Sequence, residues 1–259
     1  MPVTVTTEMV KELRDATGIS VMQCRKALEE AEGDREKALA ILKKQSSDIA
    51  AKKSGREAKD GAVMVKMEGN KAALVALNCE TDFVSKNEDF LSLLRALTDE
   101  AFGEGIEKMK ADAKEKIDQV IQKTGENIGL AEAYLVEGQT MGNYVHNGKK
   151  AVIVSLQGGT PELAREVAMH VAAMNPEYIT SLDVDDTARK TMTEIFEKEV
   201  ASVDKPADIK KKMLEGKLAT YFKEKTLLDQ PFIKNPDQSV GQLLASGKAT
   251  IKEIKRYSI

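Results

Sequence analysis

A buried strand and the turn that follows it are predicted by residues 71–84, KAALVALNCETDFV. The apolar run at 72–77 is typical of a buried strand, and residues 87–102 have the pattern of a helix. The turn between them carries Asp82 and Phe83, although only 4% of the chain is aromatic and turns are usually polar. Phe83 either folds back onto its own helix or meets a partner outside the chain, and both interpretations stay open at this point.

The same order of elements recurs later in the chain. One pair of strands flanks the turn signal at 68–70, and a second pair flanks Asn147-Gly148, a strong hairpin signal. The second strands of the two pairs, 71–77 and 150–156, align without a gap at an offset of 79 residues. Each leads through a short polar loop to a helix. We therefore predict an α+β fold with a duplicated strand-strand-helix core and antiparallel sheets.

The two loops that precede these helices differ in their chemistry. The second contains Thr160 and Pro161, a typical N-cap followed by proline at the first helical position. The first has Asp82 and Phe83 at the corresponding turn. If the two halves are duplicates, the first has acquired an anionic and aromatic tip, which favours a functional interpretation of Phe83.

The remaining patterns define the domain organisation. Three short helices are predicted near the N-terminus, with Gly18 ending the first, Ser20 and Gln23 forming a capping box on the second, and Asp34 capping the third. The predicted domains are a three-helix N-terminal domain at 1–45, a basic linker at 46–60, a first core module at 61–140, a second core module at 141–183 and 226–238, a coiled-coil hairpin at 184–225 and a C-terminal module at 239–259. The linker could also contact nucleic acid, but it lacks the interleaved aromatic residues typical of such contacts.

Residues 184–225 predict an inserted helical hairpin. Apolar residues follow a helical period in two stretches, and Pro206 breaks the helix between them. Two helices joined by a short turn pack antiparallel. We predict that the hairpin projects from the core, and the alternative is that it packs flat against it.

Composition argues against several classes of protein. The 259 residues are 42% hydrophobic and carry a net charge of -3, so no basic excess indicates nucleic-acid binding. No apolar run is long enough to span a membrane, and the first residues lack a signal-peptide pattern, so we expect a cytoplasmic protein. Two cysteines and two histidines are few for a disulfide framework or a zinc site, and no nucleotide-binding glycine motif occurs. We therefore expect no metal or cofactor.

Cys79 is a candidate nucleophile because it lies at the strand-to-helix turn. A thiol hydrolase would also need a base, and the two histidines are His146 and His170, of which His170 falls in the middle of a predicted helix. A binding protein is therefore favoured over an enzyme. The alternatives are a Cys79 thiol hydrolase and a helical adaptor that uses residues 1–45 to bind a peptide or a ubiquitin-like partner.

Separate blocks of sequence carry a resemblance to a known family. They are Thr17-Gly18 with Met22–Leu28, Glu80–Val84, Thr124–Asn127, His170–Ala173 and Gln230–Phe232. With these blocks in the right order, the chain resembles bacterial translation elongation factor Ts over essentially its whole length. The resemblance implies a ubiquitin-associated-like three-helix domain, a duplicated core, an inserted antiparallel coiled coil and a C-terminal module. Ile19-Ser20 and Gln23 depart from the family pattern beside the N-terminal contact.

The resemblance also implies a function and a partner. Members of the family are guanine-nucleotide exchange factors that bind elongation factor Tu, both GDP-bound and nucleotide-free, and carry out no chemistry of their own. An Asp-Phe loop would disturb phosphate and magnesium binding in that partner. The partner-binding residues implied are Thr81, Asp82, Phe83 and Val84 in the loop, Val21 and Met22 in the N-terminal domain, and His146 and Gly148 as weaker candidates. No direct contact with nucleic acid or membrane is implied, and a 2:2 assembly with the partner is compatible with the resemblance.

Overall fold

A computed structural model describes residues 4–259 of the chain, which form two compact units. The first unit comprises residues 4–136, 145–151 and 257–259, and the second comprises 137–144 and 152–256. Helices and antiparallel strands occur together in both units. The predicted α+β class is therefore confirmed.

The first unit begins with three helices. They are α1 (Thr7–Thr17), α2 (Val21–Glu30) and α3 (Arg35–Lys53). Side-chain oxygens of Ser20 and Asp34 accept backbone N–H groups in the first turns of α2 and α3, as predicted for N-caps. Gly18 ends α1 in the left-handed conformation, with φ at 70°. These helices enclose an apolar core of their own, which includes Leu13 and Leu28.

The capping box predicted at α2 forms only in part. The backbone N–H of Gln23 donates to Ser20 Oγ over 3.4 Å. The side chain of Gln23, however, accepts a hydrogen bond of 3.2 Å from the same hydroxyl, whereas a full capping box would return it to the backbone N–H of Ser20. One of the two expected backbone contacts is therefore present.

Helix α3 continues into the segment predicted to be a linker, so that interpretation is wrong for residues 46–53. Ser46 and Ala50 are buried, and the hydroxyl of Ser47 donates a hydrogen bond of 2.9 Å to Asp118. The segment buries small side chains, which a search for large apolar residues does not detect.

A three-stranded sheet with three further helices completes most of the first unit. Its elements are β1 (Asp60–Glu68), β2 (Lys71–Cys79), α4 (Asp82–Ser85), α5 (Glu88–Glu104), α6 (Ile106–Thr124) and β3 (Ile128–Glu137). The strand order is β1-β2-β3, and the β1–β2 hairpin is antiparallel with Glu68 opposite Lys71. Leu77, Phe90, Leu97 and Met109 are fully buried in the core between sheet and helices.

A second sheet repeats this strand arrangement. The later elements are β4 (Thr140–His146), β5 (Lys150–Gly158), α7 (Pro161–Met174), α8 (Asp186–Ala201), α9 (Ala207–Lys225), β6 (Pro231–Phe232), β7 (Asn235–Ser239), α10 (Val240–Ser246) and β8 (Ala249–Ser258). The order β4-β5-β8 again places the second strand of a hairpin in the centre, beside a strand from further along the chain. This repetition is consistent with the predicted duplication.

The second unit contains the helical hairpin, formed by α8 and α9. Glu199 pairs with Lys217 at 2.8 Å, and the rings of Phe196 and Tyr221 lie 5.8 Å apart. The residue earlier in α8, Phe196, contacts the residue later in α9, Tyr221. The two helices therefore pack antiparallel, as predicted. Pro206 stands at the N-cap of α9, where a missing N–H has no cost.

Candidate functional site

The ring of Phe83 lies on the surface of the first unit, with 84% of the residue exposed. It is the second residue of α4, a helix of only four residues. The next two residues, Val84 and Ser85, are buried and hold the turn against the core. Phe83 therefore does not fold back onto its own helix, and an apolar ring is presented to solvent by a turn that is itself well packed.

The start of this turn is held by a carboxylate from a distant loop. Glu126 accepts a hydrogen bond of 3.0 Å from the backbone N–H of Thr81 and one of 2.6 Å from its hydroxyl. Hydrogen bonds to an ionised carboxylate are stronger than those between neutral groups. The residue that precedes α4 is therefore fixed through both its backbone and its side chain.

A second carboxylate makes the reciprocal contact. Glu80 accepts the backbone N–H of Asn127 at 2.6 Å and lies 3.5 Å from the guanidinium of Arg56. The side-chain amide of Asn127 in turn donates to the carbonyl of Arg56 over 2.7 Å. Glu80 and Thr81 on one segment are thus joined to Glu126 and Asn127 on the other in both directions, and we call these four residues the carboxylate brace.

Cys79 lies beneath this brace and is fully buried. Its thiol donates to the carbonyl of Thr81 over 3.2 Å. Burial raises the pKa of Cys79 to about 12, and the negative charges of Asp60 and Glu126 add to the effect. Since the thiolate is the nucleophilic form, this thiol is unreactive near neutral pH, which opposes the thiol hydrolase alternative.

Asp82 is exposed beside Phe83 and pairs with Lys86 at 2.7 Å. Both side chains are largely exposed, so the pair contributes little to stability. Asp82 can therefore exchange Lys86 for a hydrogen-bond donor on another molecule at small cost. Asp82 and Phe83 together form the outward face of α4.

The other two loop residues named by the resemblance point elsewhere. The hydroxyl and N–H of Thr81 are both taken up by Glu126, and the side chain of Val84 packs in the core. Direct contact of these two side chains with a partner, expected from the motif, stays a prediction. Within the folded chain they hold the turn that carries Phe83.

The remaining candidate residues occupy two further surfaces. Val21 and Met22 are exposed in the first turn of α2. His146 is exposed at the end of β4, whereas the carbonyl of Gly148 accepts the backbone N–H of Val63 over 2.8 Å. Gly148 therefore has a structural role in the turn after β4.

The sequence alone predicts no role for Glu126, although the residue lies in Thr124–Asn127, one of the blocks that carry the family resemblance. Thr81 and Glu126 are 45 positions apart in the sequence, and no periodic pattern predicts a contact over that separation. A carboxylate in a short loop between a helix and a strand is the one signal available, and such residues are usually solvated.

Two features common in other proteins are absent from residues 4–259. No helix in this range is both long and apolar enough to cross a bilayer. Within the same range, no three His, Cys, Asp or Glu side chains are grouped as metal ligands would be.

The sequence of the chain is similar to the sequences of known proteins. The family model described as Elongation factor TS matches residues 80–259. The chain is 40% identical to elongation factor Ts of Hahella chejuensis over 98% of its own length and 92% of that protein. It is 40% identical to the Cellvibrio japonicus protein of the same name and 39% identical to that of Nitrosospira multiformis, in each case over 98% of this chain and 90% of the relative.

Proposed function

The chain belongs to the elongation factor Ts family, and from that membership we propose that it is a guanine-nucleotide exchange factor that promotes GDP release from elongation factor Tu. It would act in the cytoplasm during translation, on the GDP-bound partner, and remain bound to the nucleotide-free form. Phe83 is the observation that supports the finer mechanism, because an exposed ring on a braced turn is suited to enter a pocket of another protein.

The proposed exchange involves no bond in the nucleotide. The factor and GDP bind different sites on the partner, and each lowers the affinity of the other by the same factor. Nucleotide affinity in such GTPases depends on contacts with the phosphates and with Mg²⁺. A factor that displaces the elements supporting those contacts therefore accelerates GDP release.

Phe83 is proposed to act as a wedge that separates elements of the partner. Its ring enters an apolar gap in the partner, and Asp82 hydrogen-bonds at the edge of that gap. Burying a Phe side chain contributes roughly 1.5–3 kcal/mol, which corresponds to an effect of about 10- to 150-fold. Complete displacement of a tightly bound nucleotide needs more, and the wider interface, with Val21, Met22 and His146, would contribute the remainder.

The braced turn lowers the cost of this insertion. A side chain already held in its bound orientation loses less conformational entropy on binding than one on a mobile loop. The carboxylate brace, which joins residues 80–81 to residues 126–127, supplies that restraint at the start of α4. The restraint therefore leaves more of the free energy of burying the ring available for displacing the nucleotide.

Stopped-flow release of a fluorescent GDP from elongation factor Tu tests the proposal. The release rate should rise with the concentration of this protein and reach a plateau. Free GDP should weaken binding of the protein to its partner by the same factor as the protein weakens GDP binding. Tight binding of the partner with an unchanged GDP release rate would instead support the adaptor alternative.

A further inference from the structure

Lys149 lies against the base of α4, although it belongs to the turn between β4 and β5. Its ammonium nitrogen is 2.6 Å from Asp60 Oδ1, 2.6 Å from the carbonyl of Gly61 and 3.3 Å from Ser85 Oγ. An ammonium has three donors, so these acceptors satisfy all of them. The side chain of Lys149 is 35% exposed, so water competes for these bonds less than it does at a fully exposed pair.

The carboxylate of Asp60 is adapted to this contact. Burial on its own would raise the pKa of Asp60, but hydrogen bonds from Lys149, Ser85 and the N–H of Gly61 outweigh it and lower the pKa to about 2. Asp60 is therefore ionised at all pH values near neutrality. The negative charge of Asp60 therefore lies 2.6 Å from the ammonium of Lys149.

The backbone around Lys149 is fixed independently of its side chain. Asn147 and Gly148 both have positive φ, at 51° and 66°, as in the tight hairpin turns that Asn-Gly favours. The carbonyl of Gly148 accepts from Val63 over 2.8 Å, and that of Lys149 accepts from Ile259 over 2.9 Å. The backbone that carries the Lys149 side chain is therefore held in place by hydrogen bonds of its own.

Helix α4 needs such support because a single turn is not stable by itself. Its N-terminal end is held by Glu126 through Thr81. Its C-terminal end is held through Ser85, which contacts Lys149. Phe83 lies between these two attachments, and the buried side chain of Val84 packs beside it.

We propose that Lys149 is a positioning residue for Phe83, which it orients by holding Ser85 and Asp60 at the base of α4. The inference rests on the proposed role of Phe83 in nucleotide exchange. It adds that the turn carrying His146 and the turn carrying Phe83 are joined by one side chain. The two candidate contacts are therefore held in a fixed position relative to each other.

Substitution of Lys149 by methionine tests this inference, because methionine keeps most of the unbranched side chain and removes its three donors. The maximal rate of GDP release should fall about tenfold, equivalent to about 1.4 kcal/mol in the barrier, with a smaller change in the half-saturating concentration. Lys149→Arg should recover most of the rate. Lys66→Met is the matched control, since Lys66 is 34% exposed and pairs with Asp99 at 2.8 Å, roughly 20 Å along β1 from Asp60 at 3.3 Å per residue.

A readout without the partner separates positioning from other effects. Amide hydrogen exchange across residues 82–86 of the isolated protein should accelerate in Lys149→Met and stay unchanged in Lys66→Met. Ser85→Ala removes one hydroxyl and should show the same direction of effect, so it replaces Lys149→Met if that variant does not fold. Unchanged protection of these amides in the folded variants would overturn the inference.

The Phe83→Ala background distinguishes the two proposals. If Lys149 acts through the ring, Lys149→Met should cause little further loss of exchange rate once Phe83 is Ala, because coupled residues are not additive. Additive losses would overturn the positioning role and leave the wedge intact. A normal rate for Phe83→Ala alone would instead contradict the wedge itself.

Discussion

The carboxylate of Glu126 holds Thr81 by two hydrogen bonds, 3.0 Å from its N–H and 2.6 Å from its hydroxyl. Thr81 precedes α4 but does not cap it, although capping is the common role of a threonine at that position. In the loop before α7, Thr160 does cap its helix by accepting the N–H of Leu163 over 3.2 Å. The same residue type therefore anchors a turn in one loop and starts a helix in the other.

Replacing Glu126 by Gln should weaken both the fold and nucleotide exchange. Glutamine carries no charge and has a single acceptor oxygen, so both contacts with Thr81 lose their charge assistance, and hydrogen bonds to charged groups contribute about 1.5–3 kcal/mol each. We expect a loss of about 1–3 kcal/mol in the free energy of unfolding, measured by urea denaturation, together with slower GDP release. Glu104→Gln, at the exposed end of α5, is the control and should change the unfolding free energy by less than about 0.5 kcal/mol.

Phe83→Ala should slow GDP release from elongation factor Tu by about 10- to 150-fold, the equivalent of burying one Phe side chain. The melting temperature should stay near that of the wild type because the ring makes few contacts in the folded chain. Leu182→Ala is the matched control, since Leu182 is 93% exposed and lies in a 3₁₀ turn of the second unit. Equal release rates for wild type and Phe83→Ala would end the wedge hypothesis.

Val21 and Met22 should affect partner affinity more than maximal rate. Both are exposed in the first turn of α2, outside the core of the three-helix domain. Met22→Ser should raise the half-saturating concentration for GDP release several-fold and leave the plateau rate nearly unchanged. Met67→Ser, an exposed residue on β1, provides the comparison, and identical titration curves for the two variants would argue against this contact.

Cys79 should resist thiol reagents in the folded protein. Its burial and its raised pKa, about 12, leave almost no thiolate at pH 8. Labelling with a chromogenic disulfide should be slow for the native chain and should reach two thiols only in denaturant, since Cys24 is also buried. Cys79→Ala should retain nucleotide exchange, and loss of activity in a folded Cys79→Ala protein would revive a catalytic role for the thiol.

His170 should make the second unit sensitive to mild acid. Its Nε2 donates to Gln230 over 2.8 Å while its Nδ1 accepts the N–H of Ile233 over 3.2 Å, so the ring is neutral. Burial lowers the pKa of His170, although Gln230 opposes the shift. The unfolded chain therefore binds a proton more readily.

The stabilising contribution of neutral His170 is complete above the unfolded pKa of about 6.5 and is lost as the pH falls below it. The free energy of unfolding should fall between pH 7 and 5, by at most about 1.4 kcal/mol per pH unit from this group. His170→Gln should reduce that slope in denaturation curves collected across the same range. Parallel pH profiles for the two proteins would contradict the assignment.

Local features of this fold were predictable from the sequence alone. The caps at Ser20, Asp34 and Thr160, the strand at Lys71–Cys79 and the break before α9 at Pro206 depend on residues within about four positions of one another. Backbone sterics and the spacing of apolar residues determine such features directly. The short blocks that resemble the elongation factor Ts family are also local in sequence, and they predicted the function.

The tertiary structure alone decided how the candidate site is held. Thr81 meets Glu126 across 45 residues and Lys149 meets Asp60 across 89, and no local pattern pairs groups so far apart. The entropy of closing loops of that length is offset only when the whole core forms. The exposure of Phe83 and the burial of Val84 beside it follow from that same packing, since neighbouring side chains on one helical turn face different directions.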